Sequence, residues 1–210
     1  MPGDLRSLFG GIDIYLFDQL LKGRITTAHR VIDAGCGSGR NLTYLLQAGF
    51  DVRGFDLDPL AVDDARAAAA SLAPGISGDR FRVGSMDRPP FPPASADVVI
   101  SSAVLHFAED DAEFDAMLTG TWNLLAPGGL LFCRLASTIG IESLLPDIGP
   151  GHRRASLPDG SRRYLVDEAL LMSLTRALGG RLLEPLKTTV VQGQRAMTTW
   201  VVRKDLPPGR

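Results

Sequence analysis

The sequence predicts an α/β fold in which helices cover both faces of a mostly parallel sheet. Short apolar runs, typical of buried strands, alternate with helical periodicity between residues 30 and 135. The glycine-rich run Asp33–Gly39 joins the first of these strands to the first helix, as at the ligand-binding edge of such sheets. After residue 137 the pattern changes to a long loop, one helix and two strands, which indicates an antiparallel pair at the end of the sheet.

The first half of the chain is a succession of helix and strand signals. Apolar positions at helical spacing over residues 4–21 are interrupted by Gly10-Gly11, which predicts a broken helix or two short ones. Asp58-Pro59 supplies a capping side chain and a first-turn proline for an alanine-rich helix. The predicted elements here are strands at 31–34, 51–55 and 81–83 and helices at 40–47 and 60–72.

The second half contains one segment that departs from the alternation. Residues 137–163 are rich in Gly, Pro, Arg and Ser, and a loop of that length in a compact domain is typically functional or mobile. We therefore expect an extended loop there that serves as a substrate lid. Asp167 is expected to cap the helix that follows. The predicted elements of this half are strands at 97–101, 130–135, 181–191 and 196–202 and helices at 112–125 and 167–178.

Length and composition fit one domain with a short N-terminal appendage. The 210 residues are 45% hydrophobic and 22% charged, with a formal net charge of −2 and a pI of about 5.9. This balance argues against a protein that coats nucleic acid, and no apolar run is long enough to cross a membrane. The start of the sequence lacks a signal-peptide pattern, and two cysteines without metal-ligand spacing indicate reduced thiols in the cytoplasm. We expect a helical lid at 1–29 and the main domain at 30–210.

The spacing of the glycines indicates which ligand the loop holds. A dinucleotide-binding loop reads G-x-G-x-x-G, whereas this chain reads G-x-G-x-G and has Arg40 at the third-glycine position. Asp56 ends the second strand, where it can accept hydrogen bonds from both hydroxyls of a ribose. After the third strand, Asp87 can accept from an adenine amino group and Met86 can pack on the ring. Together these residues predict a pocket for an adenosine that lacks a pyrophosphate.

Six motifs in this order resemble those of the class I S-adenosylmethionine (SAM)-dependent methyltransferases, over about residues 31–135. The glycine loop and the compact size are similar to the small-molecule branch, which includes tellurite- and thiopurine-type enzymes. The resemblance implies a three-layer sandwich with a seven-stranded sheet whose last strand is antiparallel. The motifs are Asp33–Gly39, Gly54–Asp56, Ser85–Asp87, Pro90-Phe91, Asp97–His106 and Leu125–Leu130.

The resemblance also implies roles for individual residues around SAM. The glycine loop would lie under the methionine part, and Asp33 would orient its amino group, directly or through water. Asp56 would bind the ribose, and the residues after the fourth strand would flank the cofactor near its methyl group. The residues expected to contact SAM are Asp33, Gly35, Cys36, Gly37, Asp56, Leu57, Met86, Asp87, Ser102 and Val104. No metal is implied.

Three residues are candidates for contact with the acceptor. His106 follows the fourth strand, where the methyl group should lie, and its ordinary pKa suits a general base; it can equally be a structural hydrogen-bonding group in that turn. Tyr15 can cover the sulfonium with its ring or pack in the core. Arg134 places a charge in an apolar strand, so it must be paired or reach a pocket.

A second basic group occurs in the long loop. His152, Arg153, Arg154, Arg162 and Arg163 could grip an anionic substrate, or the loop could simply be solvated.

The predicted function is methyl transfer from SAM to a small molecule. The motif that base-amine DNA methyltransferases carry after the fourth strand is replaced by Ser101–Val104, and no nucleic-acid-binding module is attached. Alternatives are a non-catalytic SAM-binding regulatory protein, a methyltransferase for protein or RNA, and a nicotinamide oxidoreductase, against which Arg40 argues. The sequence leaves open whether the acceptor atom is O, N, S or C, and it leaves the oligomeric state open.

Overall fold

The structure is a computed structural model that describes residues 4–206. Residues 1–3 and 207–210, which the predicted lid and main domain include at their ends, lie outside the described residues. The helices are α1 Leu5–Phe9, α2 Ile14–Leu21, α3 Leu42–Gln47, α4 Pro59–Leu72, α5 Asp111–Asn123 and α6 Glu168–Ala177. The strands are β1 Arg30–Ala34, β2 Asp51–Asp56, β3 Phe81–Val83, β4 Ala96–Ser102, β5 Leu125–Ser137, β6 Arg154–Ser156, β7 Arg162–Tyr164, β8 Gly180–Leu182, β9 Lys187–Val191 and β10 Arg195–Lys204.

One sheet organises the molecule, with strand order β3-β2-β1-β4-β5-β10-β8. The five strands from β3 to β5 are parallel, whereas β10 runs antiparallel to its neighbours. Asp33 lies opposite Gly54 on one side and Ile100 on the other, which brings the ends of β1, β2 and β4 to the same edge. This confirms the predicted mostly parallel sheet with an antiparallel last strand.

Helices cover both faces of this sheet, as a continuous apolar strand pattern requires. Along β1, Val31 packs into one core and Ile32 into the other, because successive side chains point to opposite faces. The first core contains Phe114 of α5 and Leu171 of α6. The second core receives α2, α3 and α4, and it includes the fully buried Leu16 of α2. The predicted three-layer sandwich is confirmed.

The predicted strand at 181–191 is divided in the structure. β8 and β9 both pair with the same edge of β10, so together they occupy one strand position. Pro185 lies between them and has no N–H to donate to a ladder. Glu184, next to it, belongs to neither strand, and its side chain accepts hydrogen bonds from Gln19 and Arg24. The seven expected strand positions are therefore filled by eight strands.

Residues 137–163, expected to be an extended loop, contain regular structure. β6 forms an antiparallel hairpin with β7, and Ser137 bridges to Val166. The segment packs through Ile141 and Leu157, whose side chains join a small core with Ala196. The segment is therefore not loop throughout, because apolar residues scattered among Gly and Pro anchor it. Its role as a lid stays a prediction.

The N-terminal segment forms two short helices, as predicted. Gly10 separates α1 from α2 with a φ of 61°, and a Cβ there would lie 2.5 Å from Thr43 Oγ1. The predicted division of the chain at residue 29 stays a prediction. Leu16, which precedes that division, packs in the same core as Val31 of β1. No helix in residues 4–206 has the length and apolarity to cross a bilayer.

Candidate functional site

The glycine loop turns directly after β1, at the edge of the sheet where β2 and β4 also end. Gly35 and Gly37 have φ values of 75° and 52°, which L side chains rarely adopt. A Cβ on Gly35 would lie 2.5 Å from Val104 Cγ2, so the loop passes too close to the residues after β4 for any larger residue. The Gly35 and Cys36 N–H groups donate to the Phe55 carbonyl at 2.8 and 2.9 Å, which fixes the loop to the end of β2.

Asp56 connects this loop to the end of β2. Its Oδ2 accepts a hydrogen bond from the Gly37 N–H at 2.8 Å, and its Oδ1 accepts from the Asp58 N–H at 3.0 Å. Each carboxylate oxygen has two acceptor positions, so each keeps one for a ligand. Asp56 can therefore shape the loop and contact a bound molecule at the same time.

A cavity of about 550 Å³ opens between the loop and the segments after β3 and β4. It brings together eight of the ten residues expected to contact SAM, namely Gly35, Gly37, Asp56, Leu57, Met86, Asp87, Ser102 and Val104. Its other lining residues were not among those ten, and they are Phe55, Gly84, Ser85, Ala103, Phe107, Glu113 and Met117. We call this space the first cavity.

Asp33 lies beneath the loop rather than on the cavity wall. Its side chain is buried, and neither carboxylate oxygen has a hydrogen-bond partner among the described residues. Burial raises the pKa of this carboxyl to about 7. The positive charge of Arg40 opposes this rise in pKa, and the negative charge of Asp56 adds to it. A buried carboxyl without partners is costly, so its retention points to a ligand group or water that it meets here.

Cys36 also lies off the first cavity. Its Sγ would be 3.1 Å from a Cβ built on Gly54, so the thiol fills the space that this glycine leaves in β2. Burial raises the pKa of the Cys36 thiol above its usual range, which keeps it protonated and unreactive.

A second cavity of about 330 Å³ adjoins the first, and the two share Ala103 and Phe107. It contains two of the candidate acceptor residues, His106 and Arg134. Tyr15 borders it, since its hydroxyl hydrogen-bonds the lining residue Thr189 at 2.7 Å. The remaining lining residues are Arg40, Leu157, Ser161, Arg163, Val191, Arg195, Ala136, Ala196 and Met197.

His106 has a defined hydrogen bond that bears on its chemistry. The Ala136 N–H donates to His106 Nδ1 at 3.2 Å, so the neutral ring carries its proton on Nε2. Burial, together with the positive charges of Arg163 and Arg154, lowers the pKa of His106 to about 4. A ring in this tautomer is a donor at Nε2 and has no free nitrogen for a proton. The geometry therefore favours the alternative, a hydrogen-bonding role, and the role of His106 in catalysis stays a prediction.

An ionic network that the sequence did not reveal lies between the two cavities. Asp13 is buried, and its Oδ2 accepts from Arg134 at 2.9 Å and from the Ser102 hydroxyl at 3.3 Å. Arg40 in turn donates to Ser102 Oγ at 3.0 Å. In the sequence Asp13 is visible only as a residue that could begin α2. The network connects the start of α2 to Ser102, which lines the first cavity, and to Arg134, which lines the second.

The basic residues of the long segment do not form one cationic site. His152, Arg153 and Arg154 share a pocket with the carboxylates of Glu109, Asp110 and Asp111. Arg153 pairs with Asp167 at 2.9 Å, and Arg154 donates to the Phe107 and Ala108 carbonyls. Of the group proposed from sequence, Arg163 alone lines the second cavity. The others have structural partners or lie at the surface. Within residues 4–206, no His, Cys, Asp and Glu side chains are grouped in a way that could hold a metal ion.

Comparisons with known proteins agree with the fold. Residues 32–133 match the family model described as a methyltransferase domain. An uncharacterized methyltransferase of Synechocystis is 30% identical over 108 residues, which are 50% of this chain and 46% of that protein. A ubiquinone biosynthesis O-methyltransferase of Ralstonia nicotianae is 28% identical over 176 residues, which are 80% of this chain and 71% of that protein.

The crystal structure of a SAM-dependent methyltransferase from Methanosarcina mazei is similar over 90% of this chain and 98% of its own. The TM-score is 0.71 and the sequence identity is 20%. The sheet order, the glycine loop and the cavity beside it thus define a class I SAM-dependent methyltransferase fold. Residues 32–133 of this chain are similar to the methyltransferase domain family. The resemblance noted from the sequence motifs is confirmed, and the chain spans about half the length of the Synechocystis relative.

Proposed function

We propose that the protein is a methyltransferase that uses SAM to methylate a small molecule. The observation that carries the proposal is the first cavity, where Asp56 is fixed to Gly37 at the carboxyl edge of the sheet. The methyltransferase domain match and the O-methyltransferase relative of Ralstonia nicotianae support this reading. The second cavity supports a small acceptor, because its volume of about 330 Å³ suits a metabolite and it adjoins the first.

The residues of the first cavity fit SAM. Asp56 would bind the ribose hydroxyls, while Asp87 and Met86 would contact the adenine and Leu57 would cover it. Asp33, whose oxygens have no partner in residues 4–206, would compensate the ammonium group through its charge, directly or by way of water. When bound, SAM supplies a methyl group that its sulfonium charge has already activated.

The task of the protein's own residues is then to position the acceptor and to exclude water. Ala103 and Phe107 line both cavities, so a molecule in the second cavity lies beside the contents of the first. Holding two reactants in register can contribute roughly 7–11 kcal/mol to a bimolecular reaction. His106 would donate a hydrogen bond from Nε2 to the acceptor. The second cavity thus offers orientation rather than a group that removes a proton.

We also propose that residues 1–29 cover the acceptor and that the protein works in the cytoplasm. The cover is supported by Asp13, which links the start of α2 to Arg134 and Ser102. The location is supported by Cys36 and Cys133, which are buried and unpaired and so need no oxidising compartment.

Calorimetric titration with SAM and with its demethylated product, S-adenosylhomocysteine, tests the cofactor assignment. A screen of small metabolites with labelled SAM then tests transfer. We expect saturable binding of both cofactor forms and label transfer to at least one small acceptor. Tighter binding of NADH than of SAM would overturn the proposal in favour of an oxidoreductase. Binding of SAM without transfer to any metabolite pool would favour a regulatory protein, and transfer only to protein or RNA would replace the acceptor class.

A further inference from the structure

We propose that the second cavity is an anion site that binds the acceptor through a carboxylate or phosphate group. The proposal rests on the proposed function, and it adds the chemical class of the acceptor. Four arginines line this cavity, and among residues 4–206 no Asp or Glu lines it with them. The four are Arg40, Arg134, Arg163 and Arg195.

Two of these arginines have no carboxylate partner in the described part of the chain. Arg134 pairs with Asp13 at 2.9 Å and Arg195 with Asp159 at 3.4 Å, which accounts for their charges. Arg40 instead donates to the hydroxyl of Ser102, and Arg163 to the carbonyl oxygen of Arg162. Within residues 4–206, neither guanidinium therefore forms an ion pair with a carboxylate. Arg163 is half-buried and Arg40 is exposed, and the N–H donors of both can bind an oxyanion that enters the cavity.

The other lining groups agree with an organic anion rather than a simple ion. The Nε2–H of His106 provides a neutral hydrogen-bond donor, and the Thr189 hydroxyl provides a second when it accepts from Tyr15. Leu157 and Met197 provide apolar surface for a carbon skeleton. The same positive field contributes to keeping His106 neutral, so its ring adds a hydrogen bond without adding charge.

The position of the anion site links it to methyl transfer. Arg40 donates to Ser102 Oγ, and Ser102 lines the first cavity. The guanidinium of Arg163 lies 4.8 Å from the ring of Phe107, a residue common to both cavities. An anion held by Arg40 and Arg163 would therefore fix the acceptor next to the first cavity. Arginine suits this task because its planar group can bind carboxylate or phosphate oxygens in pairs.

Structural arginines in the same region show the contrast. Arg154 donates to the Phe107 and Ala108 carbonyls and also pairs with Glu109. Glu109 compensates the charge of Arg154, and the two carbonyls accept from its N–H groups. Among residues 4–206, Arg163, in the neighbouring hairpin strand, contacts the Phe107 ring and donates to one carbonyl. The difference marks Arg163 as a residue with donors to offer a ligand.

The test measures anion binding to the full chain saturated with S-adenosylhomocysteine, by calorimetry and by thermal shift. The probes are inorganic phosphate and succinate, with chloride at equal ionic strength as the control for salt. We expect at least one of the two probes to bind and to raise the melting temperature above that in chloride. Phosphate alone would indicate a phosphorylated acceptor, and succinate alone a carboxylic acid.

Charge-removing variants locate the site. R163Q is expected to weaken probe binding at least tenfold, the loss that one charge-assisted contact typically causes. R40Q should do the same, and it serves as the second variant. R181Q removes an exposed arginine of β8 that pairs with Asp205 and lines neither cavity, so it should leave binding unchanged.

Three results would overturn the inference. Neither probe binds more tightly than chloride, or R163Q and R40Q bind like the unaltered protein, or R181Q weakens binding equally. In each of these cases S-adenosylhomocysteine still binds, so the cofactor assignment survives. Loss of S-adenosylhomocysteine binding in the unaltered protein would instead contradict the proposed function.

Discussion

Asp56 has two roles that substitution can separate, because it accepts from the glycine loop and faces the first cavity. D56A removes both acceptor oxygens, and we expect SAM affinity to fall at least tenfold, since the ribose loses a charge-assisted partner. D56N keeps one acceptor oxygen and should fall between D56A and the unaltered protein. Calorimetry measures the affinity, and the melting temperature reports whether the loop survives. Unchanged affinity in D56A would contradict the ribose assignment.

Substitution of His106 distinguishes a general base from a hydrogen-bond donor by the size of the loss in turnover. H106N keeps an acceptor for the Ala136 N–H but removes the Nε2–H. Because the ring has no free nitrogen for a proton, we expect turnover to fall less than about tenfold, whereas loss of a general base typically costs about 10²–10⁴-fold. With the pKa of His106 lowered to about 4 by burial and nearby arginines, turnover should show no inflection near pH 6.5. A hundredfold loss with SAM affinity intact would restore the base.

At this scale the sequence predicts the residues of the first cavity because they follow strand ends that a parallel sheet brings together. Eight of the ten lie on its wall, although their contacts with SAM stay predictions. The state of His106 could not be predicted, since its partner Ala136 is thirty positions away. Asp13 was missed for the same reason, because its partner Arg134 lies on the fifth strand of the sheet.

Among the elements, α2 depends on Asp13 for two separate interactions. The side chain caps the helix through the Tyr15 N–H at 2.9 Å and also pairs with Arg134. D13A should lower the free energy of unfolding by about 2–4 kcal/mol, from a lost cap and a half-buried guanidinium without a partner. D13N keeps the cap acceptor and should lose less. Urea unfolding at pH 7 measures both, and equal losses would show that the cap contributes nothing.

Element positions follow from local signals, whereas pairing partners do not. Asp58 and Asp167 cap α4 and α6 as predicted, because a cap acts within three residues of itself. The β6–β7 hairpin was missed because its strands are three residues long and rich in arginine. Likewise β5 begins at Leu125 rather than 130, since pairing with Ala96 continues the strand across the Pro-Gly-Gly segment with a shift in register.

At the scale of the whole molecule, charged side chains connect the N-terminal segment to the region between β8 and β9. Glu184 accepts hydrogen bonds from Lys22 and Arg24 of the N-terminal segment, and Lys187 approaches it at 3.1 Å. Burial opposes its ionisation, but these donors outweigh burial and lower the pKa of Glu184 to about 2. A carboxyl with a lowered pKa stabilises the fold above its ordinary pKa, and that stability is lost as pH falls toward 2. The stability that this cluster contributes is therefore full above about pH 4.5 and declines between about pH 4.5 and pH 2.

Between pH 4 and pH 6.5 two other buried groups oppose each other. The pKa of His106 is lowered to about 4, chiefly by burial, so acidification through this range protonates the unfolded chain first and removes about 3 kcal/mol of stability. The pKa of Asp33 is raised to about 7, again chiefly by burial, so acidification from pH 7 protonates the folded chain first and adds about 4 kcal/mol. Between pH 4 and pH 6.5 the two changes in the free energy of unfolding therefore nearly cancel.

Single substitutions should expose each slope. In D33N the histidine effect remains, so the free energy of unfolding should fall steeply from pH 6.5 to pH 4.5. In H106N the carboxyl effect remains, so stability should rise over the same range. Urea titrations at half-unit pH steps measure all three proteins, and the unaltered protein should lie between the variants in slope. Parallel curves would show that neither group titrates abnormally.

The ionised form of Asp33 should also matter for the binding of SAM. If the ammonium group of the cofactor compensates this carboxylate, SAM should stabilise the unaltered protein more at pH 8 than at pH 5. D33N should lose that difference.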